Sequence, residues 1–441
     1  MRKSLAILII AVTVATAVPA FADLQNVVVG GSVRIRGNWI HGDFLGFGGT
    51  APIGGIPTGF TGPVASDNLA FVEQRTRLNV RADFTDKVSA FIELDSYNNW
   101  GENFRSDYLT GVDGRGTGDV SLYQGYIEAS EMWGTGLKVR IGRQEIKLGS
   151  GWLVGTNDKN SLFVGLSFDG IRLTYATDQF SVDALWAKLA ERSPLAEDGD
   201  IDLYGIYASY LGIENVSLDA YWLFIRDAAN YSGSLDTHTV GLRGAGTVNA
   251  FDFEGEVAYQ WLETGESAYY WLYRDHTVVS DALAANLEVG YTFDMSLSPR
   301  VYLGGAYFEG SDDDRPFNRL FSNWEYSLLL DTMGQMNNFW TARAGFSMMP
   351  TETLKVSLGA AYFQMVEGWK EWVTDWFGPF PIGETIKTRD DLGWEVGASV
   401  SYAYTKDLSF QGGYSHFFTG NALGDNTDDL DYLYFETKLC F

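Results

Sequence analysis

Basic side chains recur at every second position in the first part of this 441-residue sequence. The spacing is clearest at Arg34 and Arg36 and at Arg75, Arg77 and Arg81. Alternate residues of an extended strand point to the same face, so this spacing places several guanidinium groups in one row. A planar guanidinium group binds two oxygens of a carboxylate or a phosphate at once. The spacing therefore predicts a surface that binds or guides anions.

No arrangement of residues for catalysis or metal binding accompanies this row. The histidines are His41, His238, His276 and His416, and none lies in a nucleophile motif or in a His-Glu-x-x-His pattern. The one cysteine, Cys440, cannot form a disulfide within the chain or supply a zinc site alone. We therefore expect no enzyme activity, no metal site and no cofactor.

Composition excludes several other classes of protein. The formal net charge of −26 argues against nucleic-acid binding, which needs a basic surface. Aromatic residues make up 15% of the chain, too many for a disordered protein. After the N-terminal region no stretch approaches the roughly 18 apolar residues of a membrane-spanning helix.

The N-terminus is predicted to be a cleaved signal peptide. Arg2 and Lys3 precede an apolar run from Leu5 to Val18, and the sequence Ala-Phe-Ala ends at Ala22. This order of basic, apolar and small residues is typical of bacterial export signals. We expect a signal peptide at residues 1–22 and one domain at residues 23–441.

The remaining sequence consists of segments in which apolar and polar residues alternate. Residues 251–262 and 392–404 show the pattern most cleanly. A period of two predicts β-strands. Counting the segments gives eighteen strands, which start near residues 28, 69, 88, 119, 136, 165, 179, 202, 215, 236, 251, 280, 300, 338, 353, 389, 408 and 429.

The joins between these strands alternate between short and mostly long. The long joins lie near residues 41–67, 99–118, 149–164, 265–278, 310–337 and 368–388. Those at 41–67, 149–164 and 310–337 are long enough to fold inward as a plug or lid. Alternating short and long joins are typical of outer-membrane barrels. The predicted fold is all-β: a single transmembrane antiparallel up-and-down β-barrel of about 18 strands, with short periplasmic turns and long extracellular loops.

This fold implies a place and partners for the chain. We expect it in the bacterial outer membrane, in contact with outer-membrane lipid and lipopolysaccharide. The last strand alternates up to the aromatic residue Phe441, a pattern similar to the signal that barrel-assembly machinery recognises. The alternative is a secreted soluble sandwich or propeller. Against it stand the alternating loop lengths and the tryptophans near strand ends, which a membrane interface explains.

A barrel of this size leaves an aqueous channel, so the polar face of each strand should line a pore. The fifth strand changes phase after Gly142, which predicts a β-bulge there that keeps Arg143 inside the pore. Basic residues prevail on strands one to six and acids on the others. The predicted pore-lining and substrate-guiding residues are Arg34, Arg36, Arg75, Arg77, Arg81, Lys138, Arg140, Arg143, Arg172, Arg243, Arg343, Glu73, Glu93, Asp95 and Glu128.

Two segments resemble a known family. The run VRIGRQEI at residues 139–146, followed by a Gly-rich loop and FDGIRL at residues 168–173, resembles the alginate-export family of outer-membrane porins. The resemblance is firm over about residues 70–190. It implies an 18-stranded barrel with an arginine-lined pore that passes an anionic polysaccharide, in which Arg143 and Arg172 line the pore.

We therefore expect a porin-like channel that passes anionic solutes and an anionic polysaccharide such as alginate. A general diffusion porin without polysaccharide specificity is the first alternative. A structural or adhesive barrel and a barrel enzyme using His238 are weaker ones. The sequence leaves open the substrate, the direction of flow, the oligomeric state and whether the acidic loops bind calcium.

Overall fold

The computed structural model describes residues 24–42, 68–100, 120–159, 164–191, 200–228, 235–264, 277–310, 316–332, 336–377, 380–424 and 427–441. The predicted signal peptide at residues 1–22 lies outside the described residues, as does most of the first long join. No helix in the described part of the chain is long and apolar enough to span a membrane.

The described part of the chain contains eighteen strands, as the alternation predicts. They are β1 Asn26–His41, β2 Asn68–Thr85, β3 Val88–Asn99, β4 Ser121–Ala129, β5 Leu137–Gln144, β6 Phe168–Ala176, β7 Phe180–Ala190, β8 Ile201–Ile213, β9 Val216–Asp227, β10 Leu235–Val248, β11 Phe251–Thr264, β12 Thr277–Thr292, β13 Arg300–Phe308, β14 Phe339–Thr351, β15 Leu354–Phe377, β16 Phe380–Ala403, β17 Leu408–Thr419 and β18 Leu430–Cys440.

These strands close into one antiparallel barrel. Each strand pairs with its neighbours in the chain, and β1 pairs with both β2 and β18. The closure places Arg34 opposite Arg75 on one side and opposite Lys438 on the other. Two backbone hydrogen bonds between Gly31 and Phe441, of 2.9 and 3.0 Å, extend this seam to the last residue. A closed barrel excludes the sandwich and the propeller.

The two faces of the wall differ as the alternation requires. Outward positions carry exposed apolar side chains such as Leu242, Leu303 and Phe435. Inward positions carry buried polar ones such as Arg36 and Glu436. A barrel with an apolar outer face and a polar interior matches the pattern of membrane barrels.

The prediction of a long loop at residues 368–388 is wrong. Strands β15 and β16 continue as a hairpin, and β16 starts at Phe380 rather than near residue 389. Their register shifts between Gln364 and Trp369. A sequence without clean alternation can still pair, because backbone hydrogen bonds close the ladder whatever the side chains are.

The predicted β-bulge at Gly142 is also wrong. Gly142 pairs with Tyr126 of β4 and with Gly170 of β6, and neither register shifts along β5. Its φ of +128° suits glycine, and an added Cβ would lie 2.3 Å from the Gly125 carbonyl oxygen. The bulge lies instead on β4, where Tyr123 has no partner on β3.

Candidate functional site

Two long loops enter the lumen and contact each other there. Loop L3 joins β5 to β6 at residues 145–167, and loop L7 joins β13 to β14 at residues 309–338. Val154 of L3 forms a parallel bridge with Phe321 of L7. The amide of Gly155 donates to the carbonyl of Phe321 at 3.0 Å, and the amide of Phe321 donates to the carbonyl of Leu153 at 2.8 Å. The loops therefore form one constriction inside the barrel.

An aromatic cluster holds this constriction together. Trp152 of L3 is 1% exposed, and its ring centre lies 5.6 Å from Phe308 and 6.5 Å from Phe317. Its indole nitrogen donates to the hydroxyl of Tyr326 at 2.7 Å. That hydroxyl donates in turn to Asn286 on β12 at 3.1 Å. The cluster thus links L3, L7 and the wall.

Loop L7 is also attached to the wall through polar contacts. Gln260 on β11 exchanges two hydrogen bonds with the backbone of Asn318, of 3.2 and 2.8 Å. The amide of Leu328 donates to the buried carboxylate of Glu395 on β16 at 3.0 Å. These contacts lie on different strands, so L7 is fixed across a wide part of the lumen.

A buried ion pair and a buried lysine lie within these loops. The Arg319 guanidinium lies 3.5 Å from the Asp331 carboxylate, and both side chains are fully covered. Lys159 of L3 is 8% exposed. Burial lowers the pKa of Lys159, although the charge of Asp331 opposes the shift. Burial also raises the pKa of the Tyr326 hydroxyl, which stays neutral as a hydrogen-bonding group.

The predicted arginine row lies on the wall that L3 contacts. Nη1 of Arg34 lies 3.0 Å from the carboxylate of Asp158 in L3, and Nη1 of Arg75 lies 3.2 Å from the same oxygen. Arg75 also contacts Asp95 on β3 at 3.2 Å. Asp158 was absent from the residues that the sequence pattern selected, because it lies in a loop without periodicity.

The remaining members of this row are also paired with acids. Nε of Arg36 donates to Glu436 on β18 at 2.8 Å. Arg77 lies 3.2 Å from Glu93 and 3.3 Å from Glu145, and its guanidinium lies 3.9 Å above the centre of the Tyr123 ring. Acids on neighbouring strands and in loop L3 therefore neutralise much of the charge of these arginines in place.

The other predicted residues of β1 to β6 lie on the inward-facing positions of their strands and contact polar partners there. Glu73 accepts hydrogen bonds from Asn38 at 2.9 Å and from Tyr97 at 2.7 Å. Three further arginines form ion pairs with a carboxylate two residues along the same strand or on the adjacent strand. The pairs are Arg81 with Asp83 at 2.9 Å, Arg140 with Glu128 at 2.6 Å and Arg172 with Asp183 at 2.8 Å. Lys138 shares the face of Arg140.

The predicted residues on the opposite side of the barrel form two groups. Arg243 on β10 lies 2.6 Å from Asp219 and 2.9 Å from Glu254. Arg343 on β14 lies 3.4 Å from Glu288. Arg300 at the start of β13 lies 3.1 Å from the same Glu288. Arg300 was missed because it adjoins a turn, although its neighbour Tyr302 shows the inward phase.

Two cavities beside the loops expose lysines to the lumen. A cavity of about 370 Å³ is lined by Arg300, Arg343 and Lys355, and one of about 200 Å³ is lined by Lys147 and Arg243, among others. Within the described part of the chain, Lys147 and Lys355 have no carboxylate within ion-pair distance. They therefore add positive charge to the lumen without a fixed partner.

Arg143 does not line the pore. Because β5 has no bulge, Arg143 shares the outward face of Val139 and Ile141, where Ile141 is 52% exposed. Its guanidinium donates two hydrogen bonds of 2.8 Å to Asp169 on β6. The Gly-Arg-Gln and Phe-Asp-Gly runs thus join two strands on the outside of the wall. Glu145, two residues on, reaches the lumen because L3 has left the wall there.

His238 also faces outward. Its ring is stacked between aromatic rings of neighbouring strands, 4.4 Å from Phe224 and 4.9 Å from Trp261. Trp222 donates to its Nδ1 at 3.3 Å. Among the described residues, no group of three or more His, Cys, Asp or Glu side chains is placed to hold a metal ion.

Comparisons with known proteins agree with this architecture. The family model described as alginate export matches residues 60–432. No curated protein matches the sequence significantly. The crystal structure of Pseudomonas aeruginosa OccK8 (OprE) has a TM-score of 0.54 and 14% identity, over 94% of this chain and 98% of that chain. P. aeruginosa OpdQ has a TM-score of 0.56 and 12% identity, over 95% and 98% of the two chains. Acinetobacter baumannii OccAB3 has a TM-score of 0.56 and 11% identity, over 94% and 99%. At these identities the solved structures are evidence for the fold alone.

Proposed function

Because the chain belongs to the alginate-export family of outer-membrane porins, we propose that its lumen conducts anions and passes carboxylate-bearing saccharides such as alginate. The observation that carries the proposal is the cluster of Arg34, Arg75 and Arg77 on the wall that loop L3 contacts. These guanidinium groups lie where L3 approaches the wall, so a solute that passes between L3 and this wall would come close to them. Guanidinium is the side-chain group best matched to a carboxylate.

Further features of the lumen support a saccharide as cargo. The arginines lie against aromatic rings, as Arg77 does over Tyr123 and Arg36 does over Tyr434 at 4.6 Å. An aromatic ring offers an apolar face beside a charged group. Lys147 and Lys355 extend the positive charge into the two cavities that loop residues help to line. A chain of uronate residues could thus meet cations along its path.

The ion pairs of the lumen favour a second candidate, a general diffusion porin. Each arginine of the cluster has a carboxylate within 3.3 Å, so the charges of the wall partly cancel. Such a wall has a transverse field rather than a net positive potential, and it would admit small solutes of either sign. The two candidates differ in ion preference and in block by polyuronates.

Single-channel recording in a planar bilayer with a KCl gradient separates the candidates. For an anion pathway we expect chloride to be more permeant than potassium. Oligomers of alginate should block the current, and neutral malto-oligosaccharides of equal length should block it less. Equal permeability without selective block would refute the proposal and leave the general porin.

A pair of arginine variants tests the role of the cluster. Arg77→Ala removes a cation from the lumen and leaves Glu93 and Glu145 without it, so the preference should move towards potassium. Arg143→Ala makes the same chemical change on the outward face and should leave the ion preference unchanged. Equal shifts in both variants would show that the cluster does not control permeation.

We also propose that β18 carries the segment that the barrel-assembly machinery recognises. Its outward face presents Leu433, Phe435 and Leu439, which are exposed apolar side chains at alternate positions. An apolar outward face on this closing strand suits contact with an assembly protein in the membrane.

A further inference from the structure

Asp158 of loop L3 occupies a position between the open lumen and two covered guanidinium groups. Its side chain is 35% exposed, whereas those of Arg34 and Arg75 are 11% and 4% exposed. The same carboxylate oxygen contacts Nη1 of both arginines, at 3.0 and 3.2 Å. A solute in the lumen therefore meets the Asp158 carboxylate before it can reach either arginine.

Both arginines are held in place by other contacts that do not involve Asp158. Nε of Arg34 lies 3.0 Å from Glu436 on β18. Nε of Arg75 lies 3.2 Å from Asp95 on β3. These carboxylates belong to the barrel wall, so the two guanidinium groups stay in position when the Asp158 side chain turns away. Arginines held in this way form a preorganised binding site.

The backbone next to Asp158 is anchored independently of its side chain. The Asn157 amide donates to the side-chain oxygen of Asn323 in L7, and Asn157 has a φ of +50°. Lys159 on the other side is buried. The Asp158 side chain can therefore leave the arginines by rotation about χ1 without release of the loop.

We propose that Arg34 and Arg75 form a carboxylate-binding site that Asp158 fills when no solute is present, and that the carboxylate of a passing anion replaces it. This inference rests on the proposed anion pathway and deepens it. The exchange replaces one carboxylate by another at the two guanidinium groups, while the displaced Asp158 carboxylate stays on loop L3 and keeps its charge in the lumen. A tethered competitor also weakens the apparent affinity for the solute, and a pore needs binding weak enough to permit exit.

The test compares two lumen variants with the same change of charge. Asp158→Asn removes the charge of the tethered competitor. Asp252→Asn on β11 is the matched control, since Asp252 is 34% exposed and contacts Arg300 at 3.0 Å. Arg300 keeps Glu288 as a partner in that control. Heat modifiability on SDS gels checks that both barrels are folded, and Asp158→Ala serves as a second variant without the amide.

The measured quantity is the concentration of glucuronate that halves the single-channel current, with glucose as the neutral probe. We expect Asp158→Asn to lower the half-blocking concentration of glucuronate by about tenfold, because the competitor no longer reduces the fraction of empty sites. Asp252→Asn should change it by less than about twofold. Block by glucose should be equal in all three proteins.

Equal shifts in Asp158→Asn and Asp252→Asn would overturn the inference, since the cause would then be total lumen charge. A parallel change in glucose block would overturn it too, because it would indicate a wider pore. A wild type without anion preference or glucuronate block would refute the proposed function separately. With such a wild type, the proposed exchange at Arg34 and Arg75 would still be supported if glucuronate blocked the Asp158→Asn variant. It would be refuted if glucuronate blocked neither protein.

Discussion

Replacement of Trp152 by alanine tests whether loops L3 and L7 form the constriction together. Trp152 is 1% exposed and packs against Phe308 and Phe317 from the other loop and its flanking strand. Its indole also donates to Tyr326. The substitution leaves the strand pairing of the barrel intact and removes the largest fully buried side chain of the cluster that joins the loops. We therefore expect the loops to undock while the barrel stays folded.

The size of the effect follows from the burial of the side chain. Truncation of a buried tryptophan to alanine costs about 3–5 kcal/mol in a packed core. We take the lower end, ~3 kcal/mol, because L3 can settle into the space that it leaves. A difference of 1.4 kcal/mol is tenfold in an equilibrium constant, so the undocked population should rise roughly a hundredfold.

Trypsin can measure this undocking at two buried cleavage sites. Lys159 in L3 is 8% exposed and Arg319 in L7 is 1% exposed, so cleavage at either requires the loops to open. When opening and closing are fast, the cleavage rate follows the open population. Mass spectrometry of the fragments identifies the sites, and single-channel recording of the same protein should show a larger and noisier current.

Trp133→Ala is the matched control. Trp133 lies in the short join between β4 and β5, where it is 82% exposed. Its replacement should therefore change neither the rate of trypsin cleavage nor the single-channel current. If Trp152→Ala and Trp133→Ala show the same cleavage rates and conductance in folded barrels, the argument that the aromatic cluster holds the constriction is refuted.

Two further predictions concern charge and backbone conformation. Burial lowers the pKa of Lys159, so the docked loop favours the neutral amine and docking should weaken as the pH falls below the ordinary lysine value of about 10.4. As the pH falls over that range, channel-opening events should become more frequent in the wild type and stay constant in Lys159→Met. Equal pH profiles in the two proteins would contradict the role given to Lys159. Gly142→Ala places a Cβ 2.3 Å from the carbonyl oxygen of Gly125 at a φ of +128° and should destabilise the barrel by about 1–3 kcal/mol. The temperature at which the folded band is lost on SDS gels should fall for this variant and stay constant for Gly37→Ala, whose added Cβ meets no atom within 4 Å.

The wall could be predicted from sequence because its pattern is local. Alternation along one strand decides which side chains face the lipid and which face the lumen, as in residues 251–262. The arginines at positions 34, 36, 75 and 77 were found by this rule, and their inward placement follows from β1 and β2 alone. Most predicted strand starts lie within three residues of the observed ones for the same reason.

The errors have physical causes that a single strand does not reveal. The change of phase after Gly142 indicates where β5 ends and L3 turns inward, and a bulge produces the same sequence pattern. Register between neighbouring strands distinguishes the two, and the sequence of one strand does not contain it. Asp158, Arg319 and Asp331 were missed because loop residues meet only after the loops fold, and no period marks them.

The loops change how the charges of the lumen should be understood. Counted along the strands, the first six have an excess of basic residues, which suggests an open positive wall. In the folded barrel, loop L3 adds Glu145 and Asp158 to that wall, and each contacts an arginine that the strands supply. The sign of the strand charges therefore does not determine selectivity by itself. Selectivity depends on which carboxylates a solute can replace. Of the two carboxylates that loop L3 places against the arginines, Asp158 is 35% exposed and Glu145 is 30% exposed, and Asp158 is the one that contacts two arginines through one oxygen. Fixed pairs such as Arg36 with Glu436 have buried partners on both sides, and they serve to hold the wall in shape.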